Sequence, residues 1–218
     1  MRPNAPGTRV QRMPRAQRRA QLLDAALNVF VSKGFHSAAM EDIADEAGVS
    51  KPVLYQHFPG KLELYLALLD TQCDHLEALV LAALESSDDH EERVYATVRA
   101  FFSFVADEGG SFRLIYESDL TNEPQVRHRL DALEAQIGDA ITQRIVQDTP
   151  LPAELAEMLG LAMAGAAQVM ARTWLAHGAH FSEEVAARAA GHLAWRGIGS
   201  FPVNRLGGDP APESYPSE

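Results

Sequence analysis

Cysteine and long apolar runs are scarce in this sequence, and their scarcity excludes several classes of protein. The single cysteine, Cys73, excludes an internal disulfide framework and a metal cluster built from cysteines. The longest apolar run, Met158 to Ala171, is broken by Gln168 and falls short of the roughly 18 residues that a membrane-spanning helix needs. The basic start of the chain has no apolar segment behind it, which argues against a secretory signal. We therefore expect a cytoplasmic protein without a membrane partner.

Signatures of the common enzyme classes are also missing. The sequence has no Glu-x-x-His pair, which excludes a di-iron helical bundle, and it has no phosphate-cradling glycine loop and no nucleophile elbow. His177 and His180 are three residues apart but have no carboxylate or cysteine at ligand spacing, so that a zinc site is not expected. We predict that the protein is not an enzyme and holds neither a metal nor a cofactor.

Charge is divided unevenly between the two ends of the chain. Up to Tyr65 there are nine lysines and arginines against six acidic residues, whereas from Leu66 onward there are ten against 24, which gives formal charges of +3 and −14. Such an asymmetry suggests that the basic end meets a polyanion and the acidic end does not. Composition alone leaves a second interpretation open, a basic tail on an acidic globule.

The spacing of apolar residues predicts helices along almost the whole chain. Apolar residues recur three and four positions apart, and no alternating strand pattern bounded by turn residues occurs. The nine expected helices are one that ends at Gly34, followed by 40–47, 51–58, 62–84, 94–105, 111–117, 124–145, 153–177 and 182–198. We predict an all-α fold in which three helices precede a bundle of six.

The segment 40–58 has the layout of a helix-turn-helix. Gly48 can supply the positive φ that a sharp helix end requires. Ser50 is a natural N-cap for the second helix, and Pro52 fits its first turn, where a missing N–H costs nothing. Small Ala44 allows the two helices to cross closely, at the steep angle of this motif.

The second helix of this segment carries more polar residues than a short core helix would. Leu54 and Phe58 form its inward side. Its outward polar residues are Lys51, Tyr55, Gln56 and His57. The lysine and the helix N-terminus suit a phosphate, Gln56 can read a base edge, and Val53 can meet a thymine methyl. The tyrosine and the histidine can donate to phosphate oxygens, with Lys61 beside them. The alternative is a packed αα-corner with a solvated polar face.

The region also resembles the TetR family of bacterial transcription regulators. The likeness is carried by Gly34-Phe35, by MEDIADEAGVS from Met40, by KPVLYQHF from Lys51 and by KLEL from Lys61. It implies an all-α homodimer with an N-terminal three-helix DNA-binding domain and a C-terminal domain for ligand binding and dimerisation. The expected DNA-binding residues are Ser37, Ala39, Met40, Ser50, Lys51, Pro52, Val53, Tyr55, Gln56, His57 and Lys61.

In one place the sequence departs from the family pattern. The family often has threonine or serine just before its second helix, where the hydroxyl caps the helix and touches phosphate. This chain has Ala38-Ala39 there, with Ser37 earlier. The hydroxyl cap is therefore lost or moved to Ser37.

Three stretches sharpen the resemblance within the family. They are GFHSAAMEDIADEAGVSKPVLYQHF, KLELYLALL and AFFSFVADEGGSFRLIYESDLTNEP, and they resemble regulators of mycobacterial fatty-acid synthesis that sense long-chain acyl-CoA. The resemblance implies a long-chain acyl-CoA or fatty acid as effector. The expected domains are a basic flexible arm at 1–17, a helix-turn-helix domain at 18–62, a ligand-binding and dimerisation domain at 63–203 and a disordered tail at 204–218.

Six arginines precede any acidic residue at the start of the chain. They are Arg2, Arg9, Arg12, Arg15, Arg18 and Arg19. We predict that this arm adds non-specific affinity and enters a minor groove. A solvated tail without a role is the alternative.

Apolar residues of the larger domain can line a cavity. Gly160 and Gly165 interrupt an otherwise strong helix, and because each costs about 1 kcal/mol relative to alanine, we expect them to make room for something. The expected ligand-binding residues are Leu76, Val80, Leu84, Val98, Phe101, Val105, Ile137, Ile141, Met163, Val169, Met170 and Trp174. A long apolar ligand would suit such a lining, whereas the alternative is a plain core.

The last two helices are rich in alanine and glycine, which allow close approach between helices. We predict that they pair with their copies in a second subunit and place two recognition helices one turn of DNA apart, on a palindromic operator. The whole reading is a ligand-gated dimeric regulator of bacterial transcription whose small apolar effector weakens DNA binding. The alternatives are a drug-sensing repressor of an efflux gene, with a broader and more aromatic pocket, and a helical carrier or scaffold that binds no DNA.

Overall fold

The computed structural model describes residues 13–106, 110–116, 120, 122–177 and 180–198. Within these ranges all regular secondary structure is α-helical, which confirms the all-α prediction. The helices are α1 (Arg15–Ser37), α2 (Met40–Glu46), α3 (Lys51–His57), α4 (Lys61–Leu84), α5 (His90–Ala106), α6 (Ser111–Tyr116), α7 (Pro124–Asp148), α8 (Ala153–Ala176) and α9 (Glu183–Ile198). None of the helices in the described ranges is long and apolar enough to span a membrane.

The first helix differs most from its expected bounds. It begins at Arg15, inside the stretch assigned to a flexible arm, and continues past Gly34 to Ser37. Gly34 has φ 73° and ψ 163°, so that it bends the chain between two helical pieces instead of ending the helix. The expected parts of the arm at residues 1–12 and the expected tail at 204–218 lie outside the described residues.

The chain divides into two compact units after Leu68, six residues beyond the boundary expected from the sequence. In the first unit, apolar side chains of α1 to α4 meet in a small core. Its most deeply buried members are Leu22, Ala26, Ile43, Leu54, Phe58, Leu64 and Tyr65. The rings of Phe30 and Phe35 both lie within 5.4 Å of the Tyr65 ring, centroid to centroid, and close this core beneath the start of α4.

The turn between α2 and α3 is built by backbone hydrogen bonds around one glycine. Gly48 has φ 63°, its N–H donates to Asp45 O at 3.0 Å, and the Val49 N–H donates to Ala44 O at 2.9 Å. This is the paired pattern that ends a helix on a left-handed residue. It turns the chain sharply enough for α3 to cross α2, as the helix-turn-helix prediction requires.

In the second unit, α7 packs along α8, and α5 packs along α9. Glycines permit the close approach. A Cβ on Gly160 would lie 2.3 Å from Thr142 Oγ1, and a Cβ on Gly191 would lie 2.5 Å from Tyr95 Cδ1. Gly191, which lies in a helix assigned to the dimer interface from sequence, therefore brings two helices of the same chain together.

Candidate nucleic-acid interface and effector cavity

The orientation of α3 decides which side chains a duplex could touch. Leu54 and Phe58 are buried in the first unit, while Lys51 and Gln56 are exposed and Tyr55 is 42% exposed. The polar residues of this helix therefore face solvent, and the packing is the one expected from the spacing of Leu54 and Phe58. Ser50, Pro52 and Val53 lie at the N-terminal end of the same helix, with Val53 half-buried and the other two exposed.

Arginines of α1 lie near the C-terminal end of α3. The pKa of the half-buried His57 is lowered first by burial and then by the positive charges of Arg15, Arg18 and Arg19. The Arg19 guanidinium lies 4.5 Å above the centre of the Phe58 ring, a cation–π contact that keeps its stem against the protein. The basic surface thus continues from α3 onto α1. The sequence analysis placed these three arginines in an arm, although their three- and four-residue spacing is that of one helix face.

An ion pair links the two helices of the motif. Lys51 Nζ donates to Glu41 Oε1 on α2. This hydrogen bond raises the pKa of Lys51 and lowers that of Glu41. In the free protein the lysine at the start of α3 is therefore partnered by a carboxylate, which a phosphate would have to replace.

The N-terminus of α2 lacks the hydroxyl cap that the sequence analysis could not place. Ala39 is its N-cap and gives no side-chain hydrogen bond, while the Asp42 carboxylate accepts the Ala39 N–H at 3.0 Å. Lys33 Nζ lies 3.0 Å from the same carboxylate. Hydrogen bonding and this lysine lower the pKa of Asp42. Ser37 is exposed at the end of α1 and takes no part in these contacts. Asp42 therefore supplies the hydrogen bond to the N-cap N–H, and no side-chain oxygen at position 39 caps the first N–H groups of α2.

Two expected DNA-binding residues have other roles in the structure. Met40 is only 7% exposed and packs into the core, because it is the first residue of α2 on the side that meets α1. Lys61 Nζ donates to Phe35 O at 2.7 Å and to Ala38 O at 2.8 Å, and it lies 4.5 Å from the centre of the Phe35 ring. Lys61 therefore binds the carbonyls at the end of α1 in the free protein, and its contact with a phosphate stays a prediction.

A cavity of about 510 Å³ lies within the second unit, in the size range of small-molecule sites. Side chains of all six helices from α4 to α9 line it. Eight of the expected residues are among them, namely Val80, Leu84, Val98, Phe101, Ile137, Ile141, Met163 and Met170. The body of the cavity is apolar, as predicted.

Four other expected residues do not line the cavity. Leu76 and Val105 are buried in the core, and Val169 is exposed on α8. Trp174 packs against Phe102 with ring centroids 5.9 Å apart. These corrections have one cause. A helical pattern identifies the apolar side of a helix, but successive residues turn by about 100°, and only the neighbouring helices decide which part of that side meets a void.

One end of the cavity is polar, which the sequence analysis missed. His90 and Arg93 from the start of α5 line it together with Arg144, Asp148 and Thr149 from the end of α7. Arg93 is only 3% exposed and donates to Asp148 Oδ2. The His90 Nδ1 lies 3.0 Å from the same oxygen. The sequence does show that Arg144 and Asp148 are one helical turn apart, which indicates an ion pair on α7. Nothing in the sequence indicates that Asp148 also meets Arg93 of α5, 55 residues earlier.

Neither the single cysteine nor the described histidines and acidic residues form a reactive site. Cys73 is buried, and burial, followed by the charges of Asp70 and Asp74, raises its pKa to about 12. A thiol in this state is a poor nucleophile. In the part of the chain that the structure describes, no three histidine, cysteine or acidic side chains come together in a way that could hold a metal ion.

An exposed recognition helix on a compact N-terminal unit and a largely apolar cavity in a second unit define the class, a ligand-responsive DNA-binding regulator. The model of the bacterial regulatory proteins of the tetR family matches residues 22–68. The HTH-type transcriptional activator FasR of Mycolicibacterium smegmatis is 41% identical over 204 residues, which cover 94% of this chain and 93% of that protein. The chain belongs to the TetR family.

Solved structures agree with this assignment. A TetR-like regulator from Rhodococcus sp. RHA1 is 26% identical and superposes with a TM-score of 0.68 over 87% of this chain and all of that one. The regulator FadR from Bacillus subtilis, solved in complex with stearoyl-CoA, shares the fold at 18% identity with a TM-score of 0.64, over 80% of this chain and 96% of its own. The relatives are transcriptional regulators, which argues against a helical carrier without DNA binding.

Proposed function

We propose that this protein is a dimeric regulator of transcription in the bacterial cytoplasm, whose long-chain acyl-CoA or fatty-acid effector weakens its binding to an operator. The observation that carries the proposal is the cavity of about 510 Å³ with an apolar body, which suits an acyl chain. Its lining is mostly aliphatic, which favours a lipid over the aromatic compounds expected of a drug-sensing efflux repressor. The stearoyl-CoA bound to a protein of the same fold is consistent with this choice.

The DNA contact is assigned to α3 and its surroundings. In this proposal Lys51 and Tyr55 contact phosphate, and His57 donates to the phosphate backbone. Gln56 and Val53 read base edges. Fluorescence anisotropy with a fragment of the protein's own promoter tests this. Tyr55→Ala should weaken binding by about fivefold or more, as expected for loss of a hydrogen bond to a charged oxygen, and Tyr55→Phe should reproduce that loss. Unchanged affinity in both variants would remove the tyrosine from the interface.

The effector acts by linkage between two sites. A ligand that fits only the state with poor DNA affinity must lower that affinity, typically by a factor of about 5 to 150. Palmitoyl-CoA and palmitate are therefore expected to release the promoter fragment at micromolar concentration. Mass spectrometry of the purified protein should find a co-purified acyl chain. If neither compound changed DNA affinity and no lipid co-purified, the lipid assignment would be wrong.

Dimerisation is assigned to α8 and α9. One chain leaves Met158, Val169, Val185 and Leu193 of these helices between 51% and 61% exposed. Large apolar side chains left in water on two helices suit an interaction surface. Two recognition helices would then lie about 34–36 Å apart, one turn of a palindromic operator. Sedimentation should give twice the 23.8 kDa chain mass. Leu193→Glu should yield a monomer, whereas Leu81→Glu, at an exposed position of α4, should not.

The N-terminal arm is assigned a non-specific contribution. Its residues 1–12 lie outside the described part of the chain, and their charge is the basis of the assignment. Deleting residues 1–13 should flatten the slope of log K against log salt, since each released phosphate contact lowers that slope by about 0.9. An identical slope for the shortened protein would refute this role.

A further inference from the structure

The polar end of the cavity contains two arginines and one aspartate. Arg93 is fully engaged, because one terminal nitrogen donates to Ser87 O at 2.9 Å and the other contacts His90 and Asp148. Its role is to tie the start of α5 to the end of α7. A buried guanidinium with this many partners has little capacity left for a ligand.

Arg144 is in the opposite situation. Its Nε is buried and has no hydrogen-bond acceptor among the described residues. Nε lies 3.5 Å from Asp148 Oδ2, an ion-pair distance without a hydrogen bond. One terminal nitrogen of the same guanidinium donates to Gln147 Oε1 at 3.3 Å. Buried N–H groups are almost always paired in folded proteins. Arg144 itself lines the cavity.

The charges at this end do not balance. Among the described residues that line this end, Asp148 is the only carboxylate, and Arg93 already contacts its Oδ2 atom. Two guanidinium groups, of Arg93 and Arg144, thus face one carboxylate at the end of a largely apolar space. The other acidic residue of the lining, Glu134, lies 14 residues before Asp148 on α7, about 20 Å along the helix.

We propose that this polar end is a head-group site, in which Arg144 binds the anionic oxygens of a long-chain ligand whose chain fills the apolar body. The inference rests on the proposed function, since it places one end of the effector. A guanidinium pairs with carboxylate and phosphate oxygens alike. The group bound at this site is therefore an oxyanion, which either a fatty-acid carboxylate or the phosphates of a CoA thioester can supply. The site reaches solvent, because Arg144 is 33% and His90 44% exposed, which leaves room for a large head group outside.

The experiment compares three probes of equal chain length, palmitate, palmitoyl-CoA and hexadecanol. Trp195 lines the cavity, so that tryptophan fluorescence can follow binding, with calorimetry as the second readout. Arg144→Met should weaken binding of at least one anionic probe by about tenfold or more, as for a lost charge-assisted hydrogen bond, and leave hexadecanol unchanged. Arg144→Lys should restore most of the lost affinity. Arg188→Met, which removes an exposed arginine paired with Glu184, should change nothing.

The outcomes separate the two proposals. Loss for palmitate alone assigns the oxyanion to a carboxylate, and loss for palmitoyl-CoA alone assigns it to the CoA phosphates. Equal loss for all three probes would show a purely structural role for Arg144 and overturn the inference, as would no loss for any. If the wild-type protein bound none of the three, the lipid assignment would fail together with the head-group site.

Discussion

Two glycines of the same helix should respond in opposite ways to an alanine. The sequence suggested one role for Gly160 and Gly165 of α8, but their surroundings differ. A Cβ on Gly165 would have nothing within 4 Å. Because alanine is favoured over glycine in a helix by about 1 kcal/mol, Gly165→Ala should stabilise the second unit by roughly that amount.

Gly160→Ala should be destabilising. The new Cβ would lie 2.3 Å from Thr142 Oγ1, 2.9 Å from Gly138 O and 3.0 Å from Thr142 N. The last two atoms belong to the backbone of α7, so that a rotamer change cannot relieve the contact and the two helices must separate. Overpacking of this kind costs about 1–3 kcal/mol. The contacts with backbone favour the upper end, which leaves a net loss of about 2 kcal/mol after the helical gain of about 1 kcal/mol.

The two variants should therefore differ by about 3 kcal/mol in the free energy of unfolding of the second unit. That difference corresponds to roughly 6–12 °C in Tm for a unit of this size. Thermal and urea unfolding followed by circular dichroism would measure it, at two protein concentrations so that an effect on dimerisation is recognised. Thr142→Ala in the Gly160→Ala background should recover only part of the loss, because the backbone contacts remain. A Gly160→Ala protein as stable as Gly165→Ala would refute the close α7–α8 packing.

Three further predictions concern the titratable groups. Glu41→Gln should release Lys51 for phosphate and raise promoter affinity by about two- to fivefold, the scale of an exposed ion pair. Glu46→Gln on the same helix is the control and should leave the affinity unchanged. Unchanged affinity in Glu41→Gln would place Lys51 away from DNA. The pKa of His57 is lowered in the free protein, and a nearby phosphate would raise it. Promoter affinity should therefore rise as pH falls from 8 to 6, and His57→Gln should flatten that dependence. An equal slope in the variant would exclude the contact between His57 and phosphate. By the same linkage, folding depresses the pKa of His57, so that its contribution to stability is present above about 6.5 and is lost as pH falls. Cys73, with its pKa raised from 9.0 to about 12, should hold roughly a thousandfold less thiolate than an unfolded thiol and react with thiol reagents only after denaturation; rapid labelling of the native protein would contradict its burial.

The helix-turn-helix could be predicted from sequence because its determinants are local. Gly48 closes α2 through bonds to residues at most five positions away, and the spacing of Leu54 and Phe58 fixes which side of α3 is buried. Starts and stops of helices depend on the same short-range chemistry. The beginning of α7 at Pro124 and the end of α4 at Leu84 were expected, and both were found.

The roles of particular side chains were decided only by tertiary structure. Lys61 binds carbonyls of residues 23 to 26 positions earlier, and Arg93 meets Asp148 across 55 residues. A sequence pattern shows that a lysine or an arginine is present, but not which distant acceptor the packing brings to it. Because one residue turns a helix by about 100°, a small rotation about the axis of α5 separates Phe101, which lines the cavity, from Val105, which lies in the core. The local chain thus determined the helices of this regulator, and the contacts between distant helices determined its cavity and the charged cluster at one end of it.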